Sequence, residues 1–273
     1  WQGREGPSPF LAAPLIERRL ASKDAERLAS ELARVERGVI VCGPQSFSRR
    51  TLPEAVVALA QRLGYPVLAD VLSQVRCGPH DRSVVVDAYD AFIRDAGVAA
   101  SLAPEVVLRF GAAPVSKPLT QYLERYPEAK HILVDEGSGW RDPSFLTAEV
   151  IQADAAPLCR DLASARAQHA APLHALTWLR RWLALNVAAK ESMACQIEGF
   201  SEMFEGRAYW ELARLLPQDA ILFAGNSMPV RDLDSFYPST GQRVRFLANR
   251  GVSGIDGVVS TAPSAFCVAT DGF

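Results

Sequence analysis

Two arginines and a cluster of glycines late in the chain carry its clearest chemical signal. Residues 224–232 read Ala-Gly-Asn-Ser-Met-Pro-Val-Arg-Asp, and residues 248–257 read Ala-Asn-Arg-Gly-Val-Ser-Gly-Ile-Asp-Gly. An arginine fork pairs a carboxylate through two parallel hydrogen bonds, so Arg231 and Arg250 favour an anionic ligand. Ser227 precedes Arg231 by four positions, which puts both on one face of a helix. Gly251, Gly254 and Gly257 let the backbone approach a bound group closely. Together they describe a pocket for a carboxylate-bearing ligand beside a close-packed cofactor.

Strands and helix starts must hold these residues in place. The apolar run 220–224 predicts a buried parallel strand, Asn226 and Ser227 are N-cap candidates for the following helix, and Pro229 suits its first turn. A strand that runs into a capped helix leaves free N–H groups at its carboxyl end, where anions bind in open α/β sheets. A second apolar run, 244–248, leads directly to Arg250.

Earlier segments repeat the same alternation. Ser22 caps an amphipathic helix with Ala25, Leu28, Ala29, Leu32 and Val35 on one face, stopped by Gly38. Thr51 caps a second helix that carries Pro53 early and is closed by Gly64. Strands are predicted at 39–42, 66–69, 105–111, 131–135 and 149–152, with helices at 88–94 and 117–125. This pattern predicts an α/β fold, a doubly wound parallel sheet covered on both faces. From Asp154 onward the chain turns helical, at 158–169, 174–197 and 206–216. The stripe Trp178, Leu179, Trp182, Leu183 and Leu185 reads as core packing. The expected organisation is a linker at 1–13, a central domain at 14–170, and the start of a second α/β domain at 171–273. No GxGxxG and no Walker lysine follows the first strand, so dinucleotide binding is not expected of residues 14–154.

Composition narrows the function classes. The chain has 273 residues, 49% hydrophobic and 22% charged, with a net charge of −2. That balance gives no reason to expect nucleic acid or an anionic membrane as partner. Cys42, Cys77, Cys159, Cys195 and Cys267 are scattered and odd in number, which argues against a disulfide framework or zinc site and for a reducing compartment. Cys42 reads as a small buried hydrophobe. His169 and His174 lack further ligands nearby. No run of about eighteen apolar residues predicts a membrane span, and no signal pattern opens the chain. Because it begins with Trp1, coding sequence or a processed precursor is expected to precede it.

At its two late motifs the sequence resembles the 2-succinyl-5-enolpyruvyl-6-hydroxy-3-cyclohexene-1-carboxylate synthases, thiamine-diphosphate enzymes of menaquinone and phylloquinone biosynthesis. Residues 109–119 (Arg-Phe-Gly-Ala-Ala-Pro-Val-Ser-Lys-Pro-Leu) and 139–143 (Gly-Trp-Arg-Asp-Pro) resemble that family's central domain, and the resemblance covers roughly residues 1–262. It implies a transferase that joins decarboxylated 2-oxoglutarate to isochorismate with thiamine diphosphate and Mg2+, acting as a homo-oligomer when full length. The compartment would be the cytoplasm in a bacterium and the plastid in a plant or alga. By the same resemblance Ser227, Arg231, Arg250 and Lys117 contact substrate. Ile255 is the wedge that bends the cofactor, flanked by Ser253 and Gly254, and Asp271 is a remnant of the metal motif. Pro118 stands where the family often has an arginine. After Ala262 the sequence departs from the pattern: Pro263 would break the expected helix, and the metal-binding asparagine and the glutamate-bearing N-terminal domain are missing. The isolated chain is therefore expected to be inactive. The alternatives are a piece of another thiamine-diphosphate enzyme, of the acetolactate synthase or 2-oxo-acid decarboxylase type, or a non-catalytic truncated module.

Overall fold

The computed structural model describes residues 16–44, 51–137, 141–166, 171–249 and 257–262. Among the described residues, eight strands fall into two parallel sheets. The first contains β1 (Gly38–Cys42), β2 (Val67–Ala69), β3 (Val85–Val86), β4 (Val106–Phe110), β5 (Lys130–Val134) and β6 (Thr147–Ile151), in the order β3-β2-β1-β4-β5-β6. The chain thus starts in the middle of the sheet, winds to one edge and crosses back to the other, as a doubly wound sheet requires. The second sheet pairs β7 (Ala220–Ala224) with β8 (Val244–Ala248) in parallel, Ala220 opposite Val244 and Ala224 opposite Ala248.

β1 shows why the sheet is covered twice. Its five residues are all buried, and successive side chains point to opposite faces. Ile40 and Cys42 join one core with α1 (Ser22–Leu32), α2 (Leu52–Leu63) and α6 (Ala155–Ala165). Val39 and Val41 join the other, with α3 (Tyr89–Phe92), α5 (Lys117–Glu124) and α7 (Leu173–Gly199); α4 (Ala96–Ser101) contributes Ala99. Each fully buried Val or Ile side chain stabilises by about 1.5–3 kcal/mol relative to its exposed state. Burial also pushes the Cys42 thiol well above the usual thiol range. Gly38 begins this strand because the Tyr65 ring crosses it: a Cβ there would lie 1.9 Å from the ring.

α7 follows the boundary expected near residue 170, yet its buried face belongs to the first sheet. The Trp178 indole N–H donates to the Gly38 carbonyl at 2.8 Å. The Trp182 ring meets Phe92, Tyr122 and Trp178 edge-on, with centroids 5.8–5.9 Å apart. The tryptophan stripe is core packing, as its spacing predicts. α8 (Glu205–Leu215) and α9 (Met228–Phe236) then pack on the second sheet.

Three local expectations need correction. Ala21, not Ser22, is the N-cap residue of α1, and Ser22 is its first helical residue; no side chain caps that helix. Thr51 is the N-cap of α2 but makes no side-chain capping bond; its hydroxyl instead accepts from the Arg160 guanidinium at 3.3 Å. The segment expected as one helix at 88–94 is a single turn, Tyr89–Phe92, followed after a break by α4, which begins behind the Asp95 cap. Asp95 accepts from the Val98 N–H at 2.8 Å, and that bond is the local reason the chain restarts a helix there.

Candidate functional site

The β7–α9 junction forms where the apolar run ends. Gly225 accepts from the Val230 N–H at 3.1 Å, closing the turn. Pro229 sits in the first helical turn, as expected. Ser227 occupies the N-cap position at φ 71° and ψ −125° and makes no side-chain capping bond. An N-cap serine bonds the helix from extended backbone, and Ser227 is held outside that region. Such a conformation costs a non-glycine residue on the order of 1–3 kcal/mol and persists only where its surroundings enforce it.

Farther along α9, buried polar contacts anchor the helix. Asp234 of α9, almost wholly buried, pairs with Arg76 at 2.6 Å, and Arg76 is itself fully buried. Asp234 also accepts from the Val71 N–H at 2.8 Å and from the Tyr89 hydroxyl at 2.9 Å. Arg76 completes its fork on the Ala69 carbonyl, at 2.9 and 2.7 Å, and on the carbonyls of Asp234 and Tyr237. Burial opposes the Arg76 charge, but Asp234 and the neighbouring acidic groups outweigh it, and its pKa is raised. Asp70, also buried, is pushed up to about 7 by burial and by the charge of Asp234, against the Val115 and Leu72 N–H bonds it accepts. A second tie runs through Asp87, which takes the Lys190 ammonium at 3.0 Å and the Ser239 N–H. α9 is therefore fixed to the loop after β2 and to α3.

This docking creates a cavity of about 760 Å³ between α3, α5, α7 and α9. Lys117 enters from the first turn of α5. Ser116 caps that helix, its hydroxyl accepting from the Leu119 N–H at 3.1 Å. Arg231 enters from α9, and Arg94 enters just beyond α3. Arg94 is held by Asp90 at 2.6 Å, whereas Lys117 and Arg231 make no ion pair among the described residues. Met193, Met228 and Phe236 supply apolar wall. The one further carboxylate in the lining, Asp232, is pushed up from the usual range by burial and by Glu205, with Arg231 pulling the other way. With Arg94 paired to Asp90, the lining keeps two cations, Lys117 and Arg231, without an ion pair among the described residues, which suits an anionic ligand.

Two of the expected substrate residues, Lys117 and Arg231, are thus brought together. Ser227 lies at the same helix start but does not line the cavity. Arg250, Ser253, Gly254, Ile255 and Asp271 lie outside the described residues. Arg94, Asp90 and Gln121 also line the cavity and were not anticipated. The i,i+4 spacing of Asp90 and Arg94 was the available signal for the first two. Among the described residues there is no group of three His, Cys, Asp or Glu side chains able to hold a metal ion. The described residues do not by themselves make a site for thiamine diphosphate and Mg2+.

Sequence comparison adds the family. The family described as "Middle domain of thiamine pyrophosphate" matches residues 9–224. The chain belongs to it. This membership agrees with the six-stranded parallel sheet and connects the chain to thiamine-diphosphate enzymes. Among relatives of the thiamine pyrophosphate middle-domain chain are proteins named 2-succinyl-5-enolpyruvyl-6-hydroxy-3-cyclohexene-1-carboxylate synthase. That of Geobacillus kaustophilus is 45% identical over 251 residues, covering 92% of this chain and 42% of the relative. That of Geobacillus thermodenitrificans is 44% identical over 254 residues, covering 92% and 42%. That of Chloroflexus aurantiacus is 41% identical over 260 residues, covering 94% and 43%. The resemblance seen in the motifs is therefore upheld along most of the chain, which spans about two fifths of the length of these relatives. No helix among the described residues is long and apolar enough to cross a membrane.

Proposed function

We propose that the cavity between α5 and α9 binds the carboxylates of isochorismate and 2-oxoglutarate, and that the chain serves a transferase joining decarboxylated 2-oxoglutarate to isochorismate. The observation that carries this reading is the meeting of Lys117 and Arg231 in one cavity from helices on two different sheets. Neither makes an ion pair among the described residues, and Arg94, held by Asp90, adds a third basic side chain to the lining. A pyruvate-specific enzyme of the acetolactate synthase type needs fewer cations, so their number favours the substrates richer in carboxylates. Arg250 is proposed to complete the set, with Ser227 at the helix start. Ser253, Gly254 and Ile255 are proposed to lie against thiamine diphosphate, and Asp271 to bear on its Mg2+. The cofactor would supply the carbanion equivalent that adds to the acceptor, while the residues described above bind and orient the acids. In this reading residues 14–170 form the central domain and residues 171–273 begin the diphosphate-binding domain. The complete enzyme would be a homo-oligomer, cytoplasmic if bacterial and plastid-borne if from a plant or alga.

The test is a chimera in which this chain replaces the matching segment of the Geobacillus kaustophilus relative. With thiamine diphosphate and Mg2+ present, the folded chimera should consume isochorismate and 2-oxoglutarate in equal amounts. The 273-residue chain alone should show no turnover. A folded chimera that turns over neither acid, or that prefers pyruvate, overturns the proposal.

A further inference from the structure

Asp90 stands at the only point where three walls of the cavity converge on one side chain among the described contacts. It belongs to α3 and is 5% exposed. One carboxylate oxygen accepts from the Ser116 hydroxyl. The other accepts from the Arg94 guanidinium at 2.6 Å and from the Ser235 hydroxyl at 3.1 Å. Ser116 is the cap of α5 and immediately precedes Lys117. Ser235 lies four residues after Arg231, one turn along the same helix.

These bonds set directions as well as distances. Ser116 donates its one O–H to Asp90 while a lone pair accepts from the Leu119 N–H, so the carboxylate holds the hydroxyl rotor of the α5 cap in one direction. Such a cap satisfies one of the otherwise unpaired N–H groups of the first helical turn. The second oxygen has two donors from different elements, and an amide nitrogen in its place would face both as a third donor. An amide turned to keep its oxygen on Arg94 and Ser235 would lose the charge that pairs with Arg94 and would take from the Ser116 hydroxyl its acceptor.

We infer that Asp90 is a positioning residue that sets the gap between Lys117 and Arg231 across the cavity, acting through Ser116 on one wall and Ser235 on the other. The functional part of this inference rests on the reading of the cavity as a carboxylate site; the geometric part does not. Loss of the carboxylate unties Ser116 of the α5 cap from Ser235 of α9 and leaves Arg94 held by the Asp90 carbonyl at 3.0 Å, while the Asp234–Arg76 pair still anchors α9, so the gap loses its fixed width without α9 undocking. The cations remain, but they no longer match the spacing of one ligand.

Two measurements separate the geometric part from the functional one. In the 273-residue chain with Cys195→Ser and Cys267→Ser, spin labels at Glu124→Cys on α5 and Met228→Cys on α9 report the gap by pulsed dipolar spectroscopy. The parent should give a narrow distance distribution. Asp90→Asn and Ser235→Ala should each broaden it while the far-ultraviolet circular dichroism stays unchanged. An unchanged distribution in both variants overturns the inference. In the chimera, Asp90→Asn should raise KM for isochorismate or 2-oxoglutarate about tenfold, the equivalent of one charge-assisted hydrogen bond, with kcat retained. Ser235→Ala should do the same more weakly, and Asp90→Glu should recover part of the loss. A broadened distribution with unaltered KM values would leave Asp90 as a positioning residue and refute the carboxylate reading of the cavity instead. A fall in kcat with unchanged KM would refute positioning of the ligand.

Discussion

Removing the Asp234 carboxylate should destabilise the protein more than the loss of a surface ion pair would. In Asp234→Ala the Arg76 guanidinium keeps its charge, because arginine does not shed its proton in proteins, and it is fully buried. Its remaining partners are carbonyl oxygens and the Tyr89 hydroxyl, which carry no compensating charge. Breaking a buried pair in this manner costs about 3–5 kcal/mol. The Val71 N–H also loses its acceptor, and an orphaned buried donor adds about 1–3 kcal/mol. For a chain of this size each kcal/mol lowers Tm by roughly 2–4 °C, so the midpoint should fall by roughly 10–25 °C. Thermal unfolding followed by circular dichroism, together with urea titration, measures the change. The double variant Arg76→Met/Asp234→Leu should recover most of the loss, since it removes both charges and keeps apolar volume. A loss below about 1 kcal/mol in Asp234→Ala, or a double variant no more stable than the single one, would refute the assignment of this pair as the anchor of α9.

Other expectations follow from the same structure. Arg231→Ala and Arg94→Ala should each weaken substrate binding in the chimera by about 1.5–3 kcal/mol, with Arg231→Lys only partly restoring it; steady-state KM values measure this. Gly38→Ala should destabilise the chain by several kcal/mol, as the Cβ meets the Tyr65 ring at 1.9 Å, and Tyr65→Leu should rescue part of it in urea titrations; overpacking costs about 1–3 kcal/mol or more. Asp70 has a folded pKa of about 7, above its ordinary value. The stability it contributes is therefore complete below the unfolded carboxylate range and is lost as pH rises through about 7. Relative to Asp70→Asn, the parent should lose stability steadily between about pH 4 and pH 7, and parallel pH profiles for the two would contradict this. Ser227→Gly should stabilise by about 1 kcal/mol, since glycine adopts φ 71° without penalty.

The sheet was legible because its strands are short, continuous and apolar. Runs at 39–42 and 66–69 correspond to β1 and β2 within one residue at their starts. β3 was not legible: two valines are too few to show a period, and pairing with β2 makes them a strand. The tryptophan stripe of α7 declared its burial through its spacing, but not which sheet it would cover. Arg231 and Lys117 were found through motifs, although their meeting depends on α9 docking against α3 and α5. Arg94 reads as an ordinary arginine at the end of a short helix until Asp90 turns it toward the cavity. Arg76 is the clearest failure of pattern reading. Arginine is almost never fully buried without a partner, and its partner lies in a different segment, on the helix before β8.

The separation of those partners along the chain fixes when the cavity can exist during folding. The contacts that dock α9, Arg76 with Asp234, Tyr89 with Asp234 and Ser235 with Asp90, join residues 145–158 positions apart. The first sheet is complete once β6 and the helix stripe of α7 have been made, well before α9 is available. Long-range closures of this kind are formed late, after the local and nearby pairings that reduce their entropic cost. Until α9 docks, the residues of the six-stranded core and Lys117 have no opposite wall to form the cavity with. An anion that needs both Lys117 and Arg231 binds only after that last docking step. Such a ligand favours the docked state over the undocked one and stabilises the protein at this long-range interface.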